Sequence, residues 1–232
     1  MDGPVTCLRG RTSDRTDGAG AGAEALASLL GGHLVGTAEP GEPRPWDADL
    51  ESSRPVLEAA AEAARGPATI TASDCTICIG TFPAVAAREP DVRFLWLDAH
   101  GDFNTPATTI SGFLGGMCLA AACGRWDAGP YGTVDPARVH LVGVRDVDAG
   151  EREEVAAAGL RVGVPEAGPV YVHLDCDVLD PSVLPTQFPV PGGLNLEGLG
   201  ALLAGLRGRI TGIEVTALED PTHARAIAEV LP

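Results

Sequence analysis

The chain has 232 residues and a formal net charge of −16, and all 16 of its basic residues are arginine. That balance argues against nucleic acid or an anionic membrane surface as a partner, while a hydrophobic content of 45% suits a globular protein with a sizeable core. The sequence has no apolar run of about 18 residues, and its opening, MDGPVTCLRG, lacks the apolar stretch of a secretory leader, so a single cytoplasmic domain spanning residues 1–232 is expected.

Residues 5–8 read as a first strand and 23–30 as a helix; a polar, proline-rich loop runs through TAEPGEPRPWDADLESS, and a second helix covers 55–65, opening on Pro55. The succession continues with a strand at 68–72, a helix at 77–88, a strand at 92–97, a helix at 114–122 and a strand at 139–144. It closes with a helix at 150–158, strands at 160–164 and 170–174, a helix at 196–206, a strand at 210–215 and a short helix from Thr222. Near-continuous apolar strands separated by helices predict a three-layer α/β/α fold around a mostly parallel sheet.

The six cysteines fall mostly within apolar segments, as buried reduced thiols do, rather than at the loop positions of a disulfide framework. Cys75 and Cys78 form a lone C-x2-C pair, which suggests zinc or thiol redox chemistry, but no second pair follows at zinc-ribbon spacing, so both are the weaker readings of the pair by itself. Open parallel sheets gather their chemistry outside the carboxyl ends of the strands, and the unusual residues lie there. Asp98, His100 and Asp102 follow one strand, Asp175 and Asp177 end another, Cys75 follows a third, and Glu214 lies near the end of a fourth. Residues two apart in an extended segment share a face, so Asp98 with His100, and Asp175 with Asp177, can converge. Carboxylates this dense repel one another unless cations sit among them.

DAHGDFNTPATTISG and HLDCDVLDPSVLP resemble the two main metal-binding signatures of the arginase (ureohydrolase) superfamily. ASDCTICIGTFP, VGVRDVDAGE and GIEVTALEDP follow that family's order, so the resemblance runs from about residue 68 to 221. It implies a binuclear centre of two Mn(II) ions that hydrolyses a guanidino group. Asp98 and Asp175 would bridge the metals, Cys75 and Asp102 would complete one position, and His100 and Asp177 the other. Hard oxygen ligands with one imidazole suit Mn(II), and such a pair activates water as a nucleophile. By the same resemblance Asn104 and Ser111 would bind the α-carboxylate, and Asp148 the α-amino group, of a small amino-acid substrate. Alone, Asn104 and Ser111 read equally well as turn residues and Asp148 as the acid at a helix start. A homo-oligomer is a further implication.

The departures bear on the substrate. Cys75 stands where the family has a histidine ligand, and a thiolate is softer than imidazole. Gly115 stands where the family has a proton-shuttling histidine, and losing such a group costs on the order of 10²- to 10⁴-fold in rate. The family's guanidinium-facing glutamate falls at Ala217 on an ungapped match, leaving Glu214 and Glu219 as alternatives. His173 shares a strand face with Asp175 and Asp177; it reads as a hydrogen-bonded core histidine, or as a partner of the ligands or replacement proton relay. The cysteine at position 75 resembles what is expected of the Nω-hydroxy-L-arginine hydrolase branch, which serves antibiotic biosynthesis and releases ornithine and hydroxyurea. A less basic, hydroxylated guanidine needs less help from a general acid, and Gly115 is expected to leave room for the hydroxyl. A weak arginase or a non-catalytic metal-binding relative are the alternatives. Only PEAGP separates the strands at 160–164 and 170–174, so a crossover helix of the family is expected to be missing there.

Overall fold

The computed structural model of the chain describes residues 3–10, 12–37 and 44–232. Its strands are β1 (Val5–Arg9), β2 (His33–Gly36), β3 (Thr69–Thr71), β4 (Arg93–Leu97), β5 (Val139–Val142), β6 (Arg161–Val162), β7 (Val170–Asp175) and β8 (Ile210–Thr216). They form one eight-stranded sheet in the order β2-β1-β3-β8-β7-β4-β5-β6, with every pairing parallel. The helices are α1 (Gly18–Leu29), α2 (Trp46–Ala63), α3 (Cys78–Arg88), α4 (Cys118–Ala122), α5 (Ala149–Ala158), α6 (Leu196–Gly205) and α7 (Ala224–Val230).

The alternation along β4 shows how the layers form. Phe94 and Trp96 enter one apolar cluster with Leu57 of α2, Phe82 of α3 and Leu119 of α4. Leu95 and Leu97 enter the other, with Leu26 of α1, Leu203 of α6 and Ile227 of α7. Burial of both faces explains why the strands read as nearly unbroken apolar runs. Among the described residues no helix is long and apolar enough to cross a membrane.

Three sequence expectations need correction. β2 was not anticipated: it is a short edge strand, largely exposed, and carries little apolar signal. α2 begins at Trp46, nine residues before the expected start, and carries Pro55 in its interior. A proline there forfeits a backbone hydrogen bond; burial of Leu50, Ser53, Val56, Leu57 and Ala60 along one stripe offsets it. The expected loop thus ends before Trp46, and its residues 38–43 lie outside the described residues. α1 starts at Gly18, earlier than residue 23, and its Gly22 lets the helix approach backbone closely: a Cβ there would lie 1.7 Å from the carbonyl oxygen of Leu218.

No helix joins β6 to β7, as the short spacer implied. Residues 163–169 cross from the sheet edge while Arg209 donates to the carbonyls of Pro165 and Gly168, each at 2.9 Å. Val162 and Val164 remain exposed beside this link.

Candidate metal centre and active site

The central strands β3, β8, β7 and β4 are adjacent, and their carboxyl ends deliver the candidate ligands to one cavity. Cys75, Asp98, His100, Asp102, Asp175 and Asp177 all line it. Local hydrogen bonds set each carboxylate: Asp98 Oδ1 accepts from the backbone N–H of His100 at 2.6 Å, Asp175 Oδ1 from that of Asp177 at 2.7 Å, and Asp177 Oδ1 from that of Ala99 at 2.9 Å. The Asp98–His100 and Asp175–Asp177 pairs are therefore short turns at strand ends that cross-brace each other.

Cys75 sits in a tight turn capped by Asp74, which accepts from the N–H of Thr76 at 2.8 Å and from the hydroxyls of Thr12 at 2.6 Å and Ser13 at 3.0 Å. Its Sγ lies 2.8 Å from Asp175 Oδ2 and 3.8 Å from Asp98 Oδ2. His100 Nδ1 lies 2.9 Å from Asp177 and 3.5 Å from Asp98. Ligand atoms of Cys75, Asp98 and His173 lie within 4.8 Å of one another, and so do those of Asp98, His100 and Asp177. Asp98 is common to both groups.

The electrostatics are those of a site built for cations. Burial, then the neighbouring Asp177, raises Asp98 to about 7. Burial and nearby carboxylates, Asp98 first for Asp102 and Asp177 first for Asp175, hold these two well above the usual carboxylate range. Burial and the same anions push the Cys75 thiol up. Against a burial that would lower it, hydrogen bonds to Asp177 and Asp98 lift His100 to about 12. Despite its own burial, Asp177 is held low by the hydrogen bond and charge of His100. Divalent ions would displace these protons, and the donor set of carboxylates, imidazole and thiolate fits them.

Two residues at the cavity have left-handed backbone, Asp102 with φ 47° and Ala217 with φ 54°. A non-glycine residue held there typically costs about 1–3 kcal/mol and needs support from its surroundings. Asp102 has it, since its carbonyl accepts from the N–H groups of Leu119 and Ala120 at 3.1 and 3.2 Å. Ala217 donates its N–H to the Ser73 carbonyl at 3.1 Å.

Glu219 lines the cavity and accepts from Thr16 Oγ1 at 2.6 Å. Glu214 does not face it, which corrects that assignment: it is wholly buried between β3 and β7, with Oε1 2.6 Å from His173 Nδ1 and Oε2 accepting from Tyr171 at 2.9 Å. His173 is not among the lining residues; its ring is stacked on Trp96. The room expected at Gly115 is filled by the Phe113 ring, whose Cε1 would stand 2.5 Å from a Cβ on Gly115. Asn104 donates to Asp148 at 3.3 Å and accepts from Thr108 at 3.1 Å. Asp148 caps α5, and Ser111 is exposed, accepting from the N–H of Phe113 at 3.2 Å. None of Asn104, Ser111 and Asp148 lines the cavity itself.

Sequence reasoning passed over several residues. Phe113 and Phe188 wall the cavity 5.3 Å apart. Glu151 is buried and accepts from the N–H groups of Phe103 at 2.8 Å and Asp148 at 3.1 Å, tying the ligand loop to α5. Arg145 donates to the carbonyls of Asp177 at 2.9 Å and Val190 at 2.7 Å. Its place in VGVRDVDAGE was the available signal; Phe188 had none.

A model of the Arginase family matches residues 50–164 and 160–230. An N(omega)-hydroxy-L-arginine amidinohydrolase from Streptomyces lavendulae is 36% identical over 96% of this chain and 92% of its own length. The chain belongs to the arginase family. It is thus an amidinohydrolase, an enzyme that cleaves a guanidino carbon–nitrogen bond. An arginase from Eremothecium gossypii is 38% identical over 62% of this chain and 44% of its own length. Among solved structures, arginase from Bacillus subtilis superposes with a TM-score of 0.80 at 22% identity, covering 99% of this chain and 98% of its own. Proclavaminate amidino hydrolase from Streptomyces clavuligerus gives a TM-score of 0.67 at 21% identity, covering 98% of this chain and 88% of its own. At such identities the structural likeness speaks to the fold.

Proposed function

We propose that the chain hydrolyses Nω-hydroxy-L-arginine to L-ornithine and hydroxyurea at a binuclear centre of two Mn(II) ions. The observation that carries this reading is the convergence of Cys75, Asp98, His100, Asp102, Asp175 and Asp177 on one cavity, with the ligand atoms of Asp98, His100 and Asp177 within 4.8 Å of one another. The near full-length similarity to a hydroxyarginine amidinohydrolase supports the substrate. Divalent ions held by Cys75, Asp98, Asp102, Asp175, Asp177 and His100 would supply a nucleophilic water at neutral pH and stabilise the charge that develops at the guanidino carbon.

The chain's own residues do the rest. Glu219, at the cavity wall, attracts the terminal nitrogens and orients the guanidino plane. Asp148 would take the α-amino group, and Asn104 and Ser111 the α-carboxylate, a pairing of acceptor with ammonium and neutral donors with carboxylate. Phe113 and Phe188 exclude water from the aliphatic stem. No histidine occupies position 115, so the departing amine lacks the proton donor that a strongly basic arginine guanidinium requires. The N-hydroxylated group is less basic and enters uncharged more readily. The cytoplasm supplies such an amino acid and keeps the six thiols reduced.

The test is ornithine release from Nω-hydroxy-L-arginine and from L-arginine side by side, with Mn(II) and with chelator. Metal-dependent turnover of the hydroxylated substrate, exceeding that of arginine by at least 100-fold in kcat/KM as on the order of one general acid would make, is expected. Equal turnover of both sinks the substrate assignment, and turnover indifferent to chelator sinks the metal.

A further inference from the structure

His173 has one ring nitrogen that the hydrolytic reading does not use. The side chain is fully buried in β7, and its ring lies flat on Trp96 of the neighbouring strand, with centroids 3.8 Å apart and planes 6° from parallel. Glu214 accepts the Tyr171 hydroxyl proton on Oε2 and presents Oε1 to His173 Nδ1 at 2.6 Å. A carboxylate at that distance takes an N–H, and a neutral imidazole has only one to give. The proton therefore sits on Nδ1 and leaves a lone pair on Nε2. This atom is buried and has no hydrogen-bond partner among the described residues.

Such an atom is ordinarily paired, and its neighbourhood indicates with what. A ligand atom of His173 lies within 4.8 Å of both Cys75 Sγ and an Asp98 oxygen. A carboxylate behind an imidazole is the arrangement that fixes the tautomer and raises the basicity of metal-ligating histidines. We propose that His173 Nε2 is a direct metal ligand that completes, with Cys75 and Asp98, the first metal position of the centre. The imidazole that the family resemblance places at position 75 is thus supplied from β7, two residues before Asp175.

The two positions then differ in chemistry. Thiolate and imidazole make the Cys75 position the softer of the two, whereas Asp98, Asp177 and His100 leave the other richer in oxygen. The inference rests on the reading of the site as a metal centre but not on which substrate is turned over.

The test loads the metal-stripped protein with one equivalent of Co(II) and records near-ultraviolet absorption and proton NMR. A thiolate-to-cobalt charge-transfer band is expected together with a hyperfine-shifted imidazole N–H that exchanges slowly, because Glu214 shelters it. The same signal should persist in His100→Asn, where the other histidine of the cluster is gone. In His173→Phe/Glu214→Gln the aromatic stack is kept and no buried carboxylate is left without a donor. There the N–H signal should vanish, and Co(II) affinity should fall by more than the roughly 10–100-fold typical of an outer hydrogen-bond partner. Glu214→Gln alone should keep the signal and lose affinity within that range. A charge-transfer band without the N–H signal in the His100→Asn protein, which does not depend on how any His173 variant folds, would overturn the proposal. Unchanged Co(II) affinity in the double variant would do the same. Failure of the substrate assignment reads out separately, as normal cobalt spectra with no ornithine from hydroxyarginine.

Discussion

Restoring the family's shuttle by Gly115→His should fail unless Phe113 is removed as well. A Cβ at residue 115 would stand 2.5 Å from Phe113 Cε1, 2.8 Å from Cζ and 3.2 Å from Ser13 Oγ. Carbon atoms prefer about 3.5–4.0 Å, so the ring must retreat by roughly 1 Å before the imidazole itself is accommodated. Its retreat is obstructed by Phe188, at 5.3 Å between centroids, and by the Arg15 guanidinium 4.8 Å from the ring centroid. Overpacking of this kind costs about 1–3 kcal/mol, and for a domain of this size each kcal/mol moves Tm by about 2–4 °C. Gly115→His should therefore melt a few degrees early and gain no arginine turnover. Combining it with Phe113→Ala should show a favourable coupling of about 0.5–3 kcal/mol in a double-mutant cycle, along with the first measurable arginine hydrolysis. The assay is thermal unfolding of the four proteins beside ornithine release from L-arginine. A single Gly115→His variant that is as stable as the parent and hydrolyses arginine would refute this reading of the cavity wall.

Metal removal should reshape the pH dependence of stability. Asp98 is held at about 7 against an ordinary 3.8, so the metal-free folded state binds more protons between those values; the stability this gives is full below the lower value and lost as pH rises through the upper. His100, lifted from 6.5 to about 12, acts in the same direction at higher pH. The chelated protein should lose Tm steadily from pH 5 to 8 in calorimetry while the loaded protein does not, and a chelated protein that gains Tm over this range would contradict the described charge balance. Gly22→Ala should destabilise by about 1–3 kcal/mol and raise KM, because the new Cβ meets the Leu218 carbonyl next to the cavity residues Ala217 and Glu219; an unchanged KM would show that this segment does not position substrate. Glu219→Gln removes one charged hydrogen-bond partner, about 1.5–3 kcal/mol, and should lower kcat/KM for hydroxyarginine roughly 10–100-fold with the fold intact by circular dichroism.

The convergence of the acidic residues and His100 on one cavity was legible because their signal is local. Asp98 with His100, and Asp175 with Asp177, occupy alternate positions at strand ends, a spacing that places them on one face. The choice between Glu214 and Glu219 was not legible, because it depends on where β8 lies in the sheet. Although last in sequence, β8 pairs with β3 and β7, and this central place walls in Glu214 while leaving the segment after the strand, with Glu219, at the cavity. The filling of the Gly115 space by Phe113 was hidden for a related reason: a missing side chain in sequence says nothing about which neighbour has moved in. α2 was misread because Pro55 is a good first residue of a helix, and only the packing of Leu50 and Ser53 reveals the two turns before it.

The most direct measurement is product identification by mass spectrometry after incubating metal-stripped protein, reloaded with Mn(II), with Nω-hydroxy-L-arginine, using Asp98→Asn as the control. The account predicts hydroxyurea and ornithine in equal amounts from the parent protein, and neither from Asp98→Asn, which loses the one residue common to both ligand groups. Citrulline with hydroxylamine, or full activity in Asp98→Asn, would contradict it.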